Sequence, residues 1–385
     1  MSVPQAIVVG GGLAGVAAAI AVAKSGLETV HLAPKGPPDR RTSALMLPTV
    51  EYLQSSGLIG DPAAVGHPLT QIRIIDATGR LVRAPETLFD SSDVGLSAFG
   101  WNFANVRLLE NFEAARAALG NLRTIEQIVR SVDRMGDDWR VTLGDGSSIT
   151  APLLIGSDGK KSLVRAATGF RTRETAFSEA ALVCDLELGR PLGGASVEFH
   201  YPLGPFTLVP AGGRRANLVW IDDGDVVKTA QSGGPEGLRQ NLIEKSQNLF
   251  GDIKLQTPAH VFPLSTLSVD EAGRDGVMLA GEAAHAFPPI GAQGLNLGLR
   301  DVADLTASLA TVDTTSASWA TRASEDYSRR RSADLSRTGG MVDALFRSLL
   351  SGMLPTQAMR AGGLWALKLS PQLRMQAFSI GMGVR

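Results

Sequence analysis

The sequence predicts an α/β protein: a Rossmann-like domain assembled from discontinuous segments, an inserted β-sheet domain and a C-terminal helical tail. Three observations carry this. A glycine-rich strand-to-helix turn occupies residues 6–24. Two more strand–glycine–helix junctions follow at 153–165 and 276–301. Between those two, residues 173–265 hold apolar runs of strand rather than helix character.

Composition narrows the possibilities. A chain of 385 residues has room for two domains, or for one large domain with an excursion. The formal net charge is −1, and no block of like charge stands out beyond Arg329-Arg330-Arg331, which argues against a nucleic-acid partner. The single cysteine, Cys184, excludes an internal disulfide framework or a multi-cysteine metal cluster, and suits a reducing cytoplasm. The five histidines show no metal-ligand spacing, so no metal site is expected. Residues 1–23 carry no charged side chain. They lack the basic leading segment of a signal peptide, and glycines interrupt their middle, so they read as a buried strand and helix.

In chain order, Ala6 to Val9 form a strand, and Gly10-Gly11-Gly12-Leu13-Ala14-Gly15 fits G-x-G-x-x-G before an alanine-rich helix to Lys24. Such a turn binds a dinucleotide: Gly10 permits the bend, Gly12 admits a pyrophosphate to the backbone, and Gly15 lets helix and strand pack closely. The second strand, Thr29 to Leu32, should end in a ribose-binding acid, but Ala33-Pro34 stand there. Backbone groups or Lys35 are then expected to hold the ribose. Arg41 follows in a loop where it can neutralise pyrophosphate. A helix around Val50 and Leu53 ends at Gly57, and residues 71–106 hold short strands and turns, including Ala77 to Arg80. Phe99 to Asn105 lead into a helix from Val106 to Leu119. Strands are expected over Ile125–Val132, which includes Val129, and over Trp139–Leu143, with a hairpin turn at Asp145-Gly146.

Leu153 to Ile155 form a buried strand ending in Gly156-Ser157-Asp158-Gly159, with a helix starting near Ser162; beside a dinucleotide turn, Asp158 is a cofactor-contact candidate. In the insert, runs at 181–188, 196–201, 206–210 and 216–221 read as strands, followed by a helix over Glu236–Phe250. This sheet either offers a wall for an apolar ligand or serves the fold alone. The strand Val277 to Ala280 breaks at Gly281-Glu282. It passes through a loop with Pro288, Pro289, Gly291 and Gly294, then becomes helical from Leu295, a geometry that aims backbone N–H groups at whatever lies in front. Trp319 to Arg331 read as a charged helix. From Met341 a wide apolar stripe begins, accompanied by Arg347, Arg360, Lys368, Arg374 and Arg385 against one acid, Asp343. The tail either packs on the main domain or lies against an anionic membrane surface.

Three motifs now stand in order: GGGLAG at 10–15, GSDGKKSLVR at 156–165 and AGEAAHAFPPIGAQGLNLGLRD at 280–301. Together they resemble the group A flavoprotein aromatic hydroxylases, which share the fold of para-hydroxybenzoate hydroxylase. RTSALMLPTVEYLQSSGL at 41–58, FGWNFANVRLL at 99–109 and GPFTLVP at 204–210 bring the chain closest to the ubiquinone-biosynthesis hydroxylases of the UbiH type. The resemblance implies FAD as cofactor and NAD(P)H as co-substrate. It implies that Gly10, Gly12 and Gly15, with Leu13 and Ala14 between them, cradle the FAD pyrophosphate. Arg41 and Asn105 match positions that contact FAD, and Val129 matches a strand whose backbone meets the adenine. Asp158 lies in a motif shared by FAD and the nicotinamide donor. Glu282, after Gly281, takes the place of the usual ribitol-binding Asp. Pro288 to Asn296 would line the flavin ring, with Gly291 in the loop and Gly294, Leu295 and Asn296 offering N–H groups. No protein nucleophile, metal or other catalytic side chain is assigned, and His285 is given a structural role behind the ring.

On this reading, residues 1–72, 100–172 and 266–335 form the FAD-binding domain. Residues 73–99 and 173–265 form the substrate domain, and 336–385 the helical tail. The expected activity is hydroxylation of a polyprenylated phenol in ubiquinone biosynthesis, using dioxygen, in the cytoplasm or peripherally at the inner membrane. Two alternatives remain open: hydroxylation of a small soluble aromatic, and a non-catalytic flavoprotein scaffold in a biosynthetic complex.

Overall fold

The structure is a computed structural model and describes residues 3–79 and 85–350. β1 (Ala6–Val9) is apolar and buried throughout, as a central parallel strand must be. It turns through glycine into α1 (Leu13–Lys24), and β2 (Thr29–Leu32) returns beside it in parallel. β3 (Thr42–Met46) runs directly into α2 (Leu47–Ser55), followed by β4 (Gly66–Leu69), β5 (Gln71–Asp76), β6 (Thr87–Asp90) and β7 (Gly100–Ala104). α3 (Asn105–Ala117) follows β7 at once, before β8 (Leu122–Ile125), β9 (Val129–Met135), β10 (Asp138–Leu143), β11 (Ser148–Ala151) and β12 (Leu153–Gly156).

The short α4 (Leu163–Ala167) precedes the long β13 (Thr172–Leu188). Then come β14 (Ala195–Tyr201), β15 (Gly204–Pro210), β16 (Arg215–Asp223), α5 (Gly224–Ser232), α6 (Gly234–Lys245), β17 (Ile253–Leu255) and β18 (His260–Val269). β19 (Gly273–Arg274), β20 (Val277–Leu279), β21 (His285–Ala286), α7 (Gln293–Leu309) and α8 (Trp319–Leu350) complete the order.

Two large sheets organise these elements. A six-stranded sheet has the order β19-β20-β12-β1-β2-β8, parallel from β20 to β8. Its order reverses at β1, between β12 and β2, the switch point at which doubly wound folds bind nucleotides. A nine-stranded sheet runs β21-β18-β13-β16-β15-β14-β5-β6, with β17 on β13. One face of it buries Leu182, Phe199, Phe206, Leu208 and Trp220 against Val227 of α5 and Leu238 and Leu242 of α6. The other face meets the loop after β21, where Ala181, Ile221 and Leu264 pack on Ile290. Small sheets β3-β7-β4 and β11-β10-β9 lie beside these.

Four local expectations are corrected. The single strand over Ile125–Val132 is two strands in different sheets. Gln127 anchors the bend between them, exchanging hydrogen bonds with the side chain and backbone of Asp145. The helix over 236–250 ends at Lys245, where Gln247 and Asn248 adopt left-handed φ of 52° and 56°. A second helix, α5, precedes it, capped by Asp223, which accepts from the Asp225 N–H, and Gly234 with φ 74° separates the two. Finally, α8 runs unbroken from Trp319 to Leu350 rather than stopping near Arg331. Of the expected tail, residues 351–385 lie outside the described residues, as does Arg80 of the expected turn. No helix among the described residues is long and apolar enough to cross a membrane.

Candidate functional site

The glycine turn is built as its sequence requires. Gly10 has φ +135°, and a Cβ there would stand 2.0 Å from the Ser157 carbonyl oxygen. A Cβ on Gly15 would stand 2.1 Å from the Gly10 carbonyl oxygen. These two glycines serve packing. Gly12 differs: a Cβ there would meet nothing within 4 Å. It forms the N-terminal end of α1 with no side-chain cap, so the first N–H groups of the helix, from Leu13 and Ala14 on, face an open space. His31 on β2 holds the turn from below, its Nε2 2.8 Å from the Gly10 carbonyl oxygen. Burial pushes the His31 pKa down, so it sits there as a neutral donor.

A second helix start opens on the same side. α7 packs along α1, and the contact is close because Gly281 and Gly298 both face the Ala14 methyl. Ala292 takes a left-handed φ of 56° before α7, which again begins without a side-chain cap. A Cβ on Gly294 would meet nothing within 4 Å. Asn296 anchors this turn across the molecule: its side chain accepts from Met46 N–H at 2.9 Å and donates to the carbonyls of Ala44 and Ala292 at 2.9 and 2.6 Å. Its amide is thus engaged in joining α7 to β3. Leu295 packs partly buried against the main core, Pro288 is buried, and Gly291 has φ 63°.

Behind this loop lies a charge cluster that the sequence did not reveal. Gly281 (φ 59°) donates its N–H to Asp301 Oδ2 at 2.8 Å, and His285 Nε2 lies 2.7 Å from the same oxygen. The other oxygen, Oδ1, faces Arg331 Nε at 2.6 Å, a contact of charge rather than of an aligned hydrogen bond. Arg331 NH1 also meets Asp304 and Asp334 at 2.8 and 2.7 Å, and the arginine is fully buried. Burial opposes its charge, but Asp301, Tyr327 and Asp334 outweigh that and raise its pKa. The last residue of a run of three arginines is therefore a core residue. The signal was present: Ala320, Ala323, Tyr327 and Arg331 share one helical face.

Arg41 makes a two-pronged pair with Asp39 at 2.8 and 2.9 Å, and Asn105 donates to the same carboxylate at 2.8 Å while accepting from Ser43 Oγ at 2.7 Å. Burial pushes Asp39 up, but Arg41 and Asn105 together hold it below its ordinary value. Glu282 is exposed, and its charge helps raise the pKa of Arg41. Asp158 is turned the other way. Its carboxylate caps α4, accepting from Ser162 Oγ and from the Leu163 and Val164 N–H groups at 2.7 and 3.1 Å. Val129 opens β9, four residues after Ile125, whose carbonyl accepts the Ala33 N–H at 3.1 Å.

The face of the large sheet that meets the loop before α7 is held at two points. Ile290 rests on Ile221 at one end. At the other, Asn102 of β7 donates to Asn217 Oδ1 at 2.7 Å, and Asn217 donates on to Asp185. Val219, midway between these points on β16, remains half-buried, as do its cross-strand neighbours Val183 and Thr207.

The residues fit a dinucleotide: two uncapped helix starts and two open glycines share one space beside an apolar sheet face. Comparison with known proteins agrees with this geometry. The profile of the FAD binding domain family matches residues 4–337. The chain is 28% identical over 393 residues to the ubiquinone hydroxylase UbiL of Rhodospirillum rubrum, covering 99% of this chain and 90% of that one. It is 26% identical to the 3-demethoxyubiquinol 3-hydroxylase of Escherichia coli, covering 98% of each. The crystal structure of p-nitrophenol 4-monooxygenase PnpA from Pseudomonas putida DLL-E4 superposes with a TM-score of 0.80 at 21% identity, covering 100% of this chain and 99% of that one.

Proposed function

The chain belongs to the FAD binding domain family, and on that premise we propose that it is a FAD-dependent monooxygenase that hydroxylates a polyprenylated phenol in ubiquinone biosynthesis, using NAD(P)H and dioxygen. The observation that carries the reading is the pair of open glycines, Gly12 and Gly294, each at an uncapped helix start on the same side of the sheet. The names of the relatives support the substrate class.

When bound, FAD takes electrons from NAD(P)H and, with dioxygen, supplies the oxygen that the phenol receives. The chain does the rest. Gly12, Leu13 and Ala14 hold the pyrophosphate on the N-terminus of α1, in the turn that Gly10 and Gly15 allow to pack. Arg41, kept in place by Asp39 and Asn105, adds positive charge at the same end. Val129 and Asp158 belong to the segments that border the nucleotide. Gly281 and Glu282 meet the ribitol. Pro288, Gly291, Gly294, Leu295 and Asn296 line the ring, and the start of α7 stabilises negative charge that gathers on it. The sheet face around Val219 takes the apolar phenol and excludes water.

The FAD-binding part comprises 1–72, 100–172 and 266–335, the substrate part 73–99 and 173–265, and 336–385 follows as a helical segment. A prenylated substrate resides in lipid, so the enzyme works peripherally at the inner membrane or alongside other enzymes of the pathway. Deleting the gene and identifying the accumulated quinone precursor tests this reading. Accumulation of a prenylated phenol lacking one ring hydroxyl is expected, and unchanged ubiquinone with no precursor would contradict it.

A further inference from the structure

Alternation along β14 buries Val197 and Phe199 toward α5 and α6, so Glu198 and His200 lie on the opposite face, the one that carries Val219 and Ile221. Register fixes how near. Val183 pairs with Val219, Val219 with Thr207, Thr207 with Glu198, and Glu198 with Ile74. Glu198 therefore stands in the row of Val219, two strands away, or roughly 10 Å at the usual strand spacing. The supports at Ile221 and Asn217 are four residues apart on β16, about 13 Å, which leaves room for an aromatic ring between them.

One carboxylate thus interrupts a row of valine, threonine and isoleucine. Its side chain is 29% exposed, and its one ionisable partner within 4 Å among the described residues is His200, 15% exposed, with Nε2 3.3 Å from Oε2. Half-burying a carboxylate beside apolar neighbours is unfavourable without a ligand donor to satisfy it. The groups facing the pair are few: β15 presents Pro205 and Thr207, and β5 presents Ile74 and Asp76, the latter bonded to Thr78.

We propose that Glu198 is a catalytic residue that accepts the ring hydroxyl of the phenol, with His200 as the positioning residue that orients its carboxylate. This rests on the hydroxylase reading above. As the ring reacts, the phenolic O–H bond breaks and its electron pair stays on the ring oxygen, enriching the carbons ortho and para to it. The proton forms a new O–H bond on Glu198, and His200 can take it from there. The transfer needs no further oxidant or reductant.

The test uses the full-length holoenzyme as wild type, Glu198→Gln and Glu198→Asp. FAD content and the thermal midpoint show that each variant is folded. At saturating 2-prenylphenol, Glu198→Gln should lower turnover by roughly 10²–10⁴-fold, and Glu198→Asp should recover part of that loss. Bound 4-nitrophenol, whose absorbance separates phenol from phenolate, should ionise at lower pH in Glu198→Gln, because a facing carboxylate opposes phenolate formation. Wild-type turnover and an unchanged probe titration in Glu198→Gln would overturn the assignment and leave the hydroxylase reading standing. If wild type hydroxylates no phenol but the probe titration still shifts, the hydroxylase reading falls and the contact stands. A wild type that binds no phenol overturns both.

Discussion

At Gly12 and Gly294 a side chain would meet open space, whereas at Gly15 it would meet the Gly10 carbonyl oxygen at 2.1 Å. That difference separates binding from folding. Gly12→Val and Gly294→Val should keep the thermal midpoint of the cofactor-free protein and lose FAD retention, measured by absorbance after gel filtration. Gly15→Ala should destabilise the cofactor-free protein by about 1–3 kcal/mol through overpacking. Gly294 has no left-handed φ, so the effect of valine there is obstruction, and Ala292 carries the strained turn instead. His31 makes a pH prediction. Burial lowers its folded pKa below 6.5, so as pH falls through 6.5 the unfolded chain takes up a proton that the folded chain refuses. Stability should therefore fall on acidification below 6.5, by at most roughly 1.4 kcal/mol per pH unit, and His31→Asn should flatten that slope in thermal melts. The glycines were legible because their spacing in the chain is the whole signal. His31 and Asp39 were not, because the partners that define them, Gly10 and Asn105, come from distant positions.

Among elements, α8 governs the loop against which the flavin is proposed to rest. Tyr327 donates to the Leu279 carbonyl at 2.8 Å, Ser324 accepts from Gly276 N–H at 3.1 Å, and Arg331 reaches Asp301, which holds Gly281 and His285 with its other oxygen. One carboxylate thus ties the helix to the loop. Arg331→Met removes the cation that faces the buried Asp301 and Asp304 and the part-buried Asp334, the last of which is also paired with Arg300. The expected loss is about 3–5 kcal/mol in denaturant unfolding, with FAD released at lower denaturant than in wild type. Strand, loop and helix at 276–309 were readable from hydrophobic period and glycine placement. The helix behind them was readable as a helix, but its buried arginine was hidden within Arg329-Arg330-Arg331, since a run of like charge looks solvated until the opposing face is known.

Over the whole molecule, the parallel sheet with its nucleotide switch point and the inserted β-rich region were legible, because consecutive motifs encode each strand. The joining of segments 71–90 and 195–201 was not. β5 pairs with β14 in parallel across more than a hundred residues, a register that only tertiary packing selects. That pairing completes the sheet whose apolar face is proposed to take the substrate, so the proposed site rests on some of the least local contacts of the protein. This sheet face and the two open helix starts are proposed to make one hydroxylase. The most direct measurement is NAD(P)H oxidation by the purified FAD-loaded protein with a prenylated phenol, alongside mass analysis of the product. Oxidation stimulated by the phenol, with a product heavier by one oxygen atom that derives from labelled dioxygen, is the predicted result. FAD-loaded protein that leaves the phenol unaltered under those conditions would contradict it.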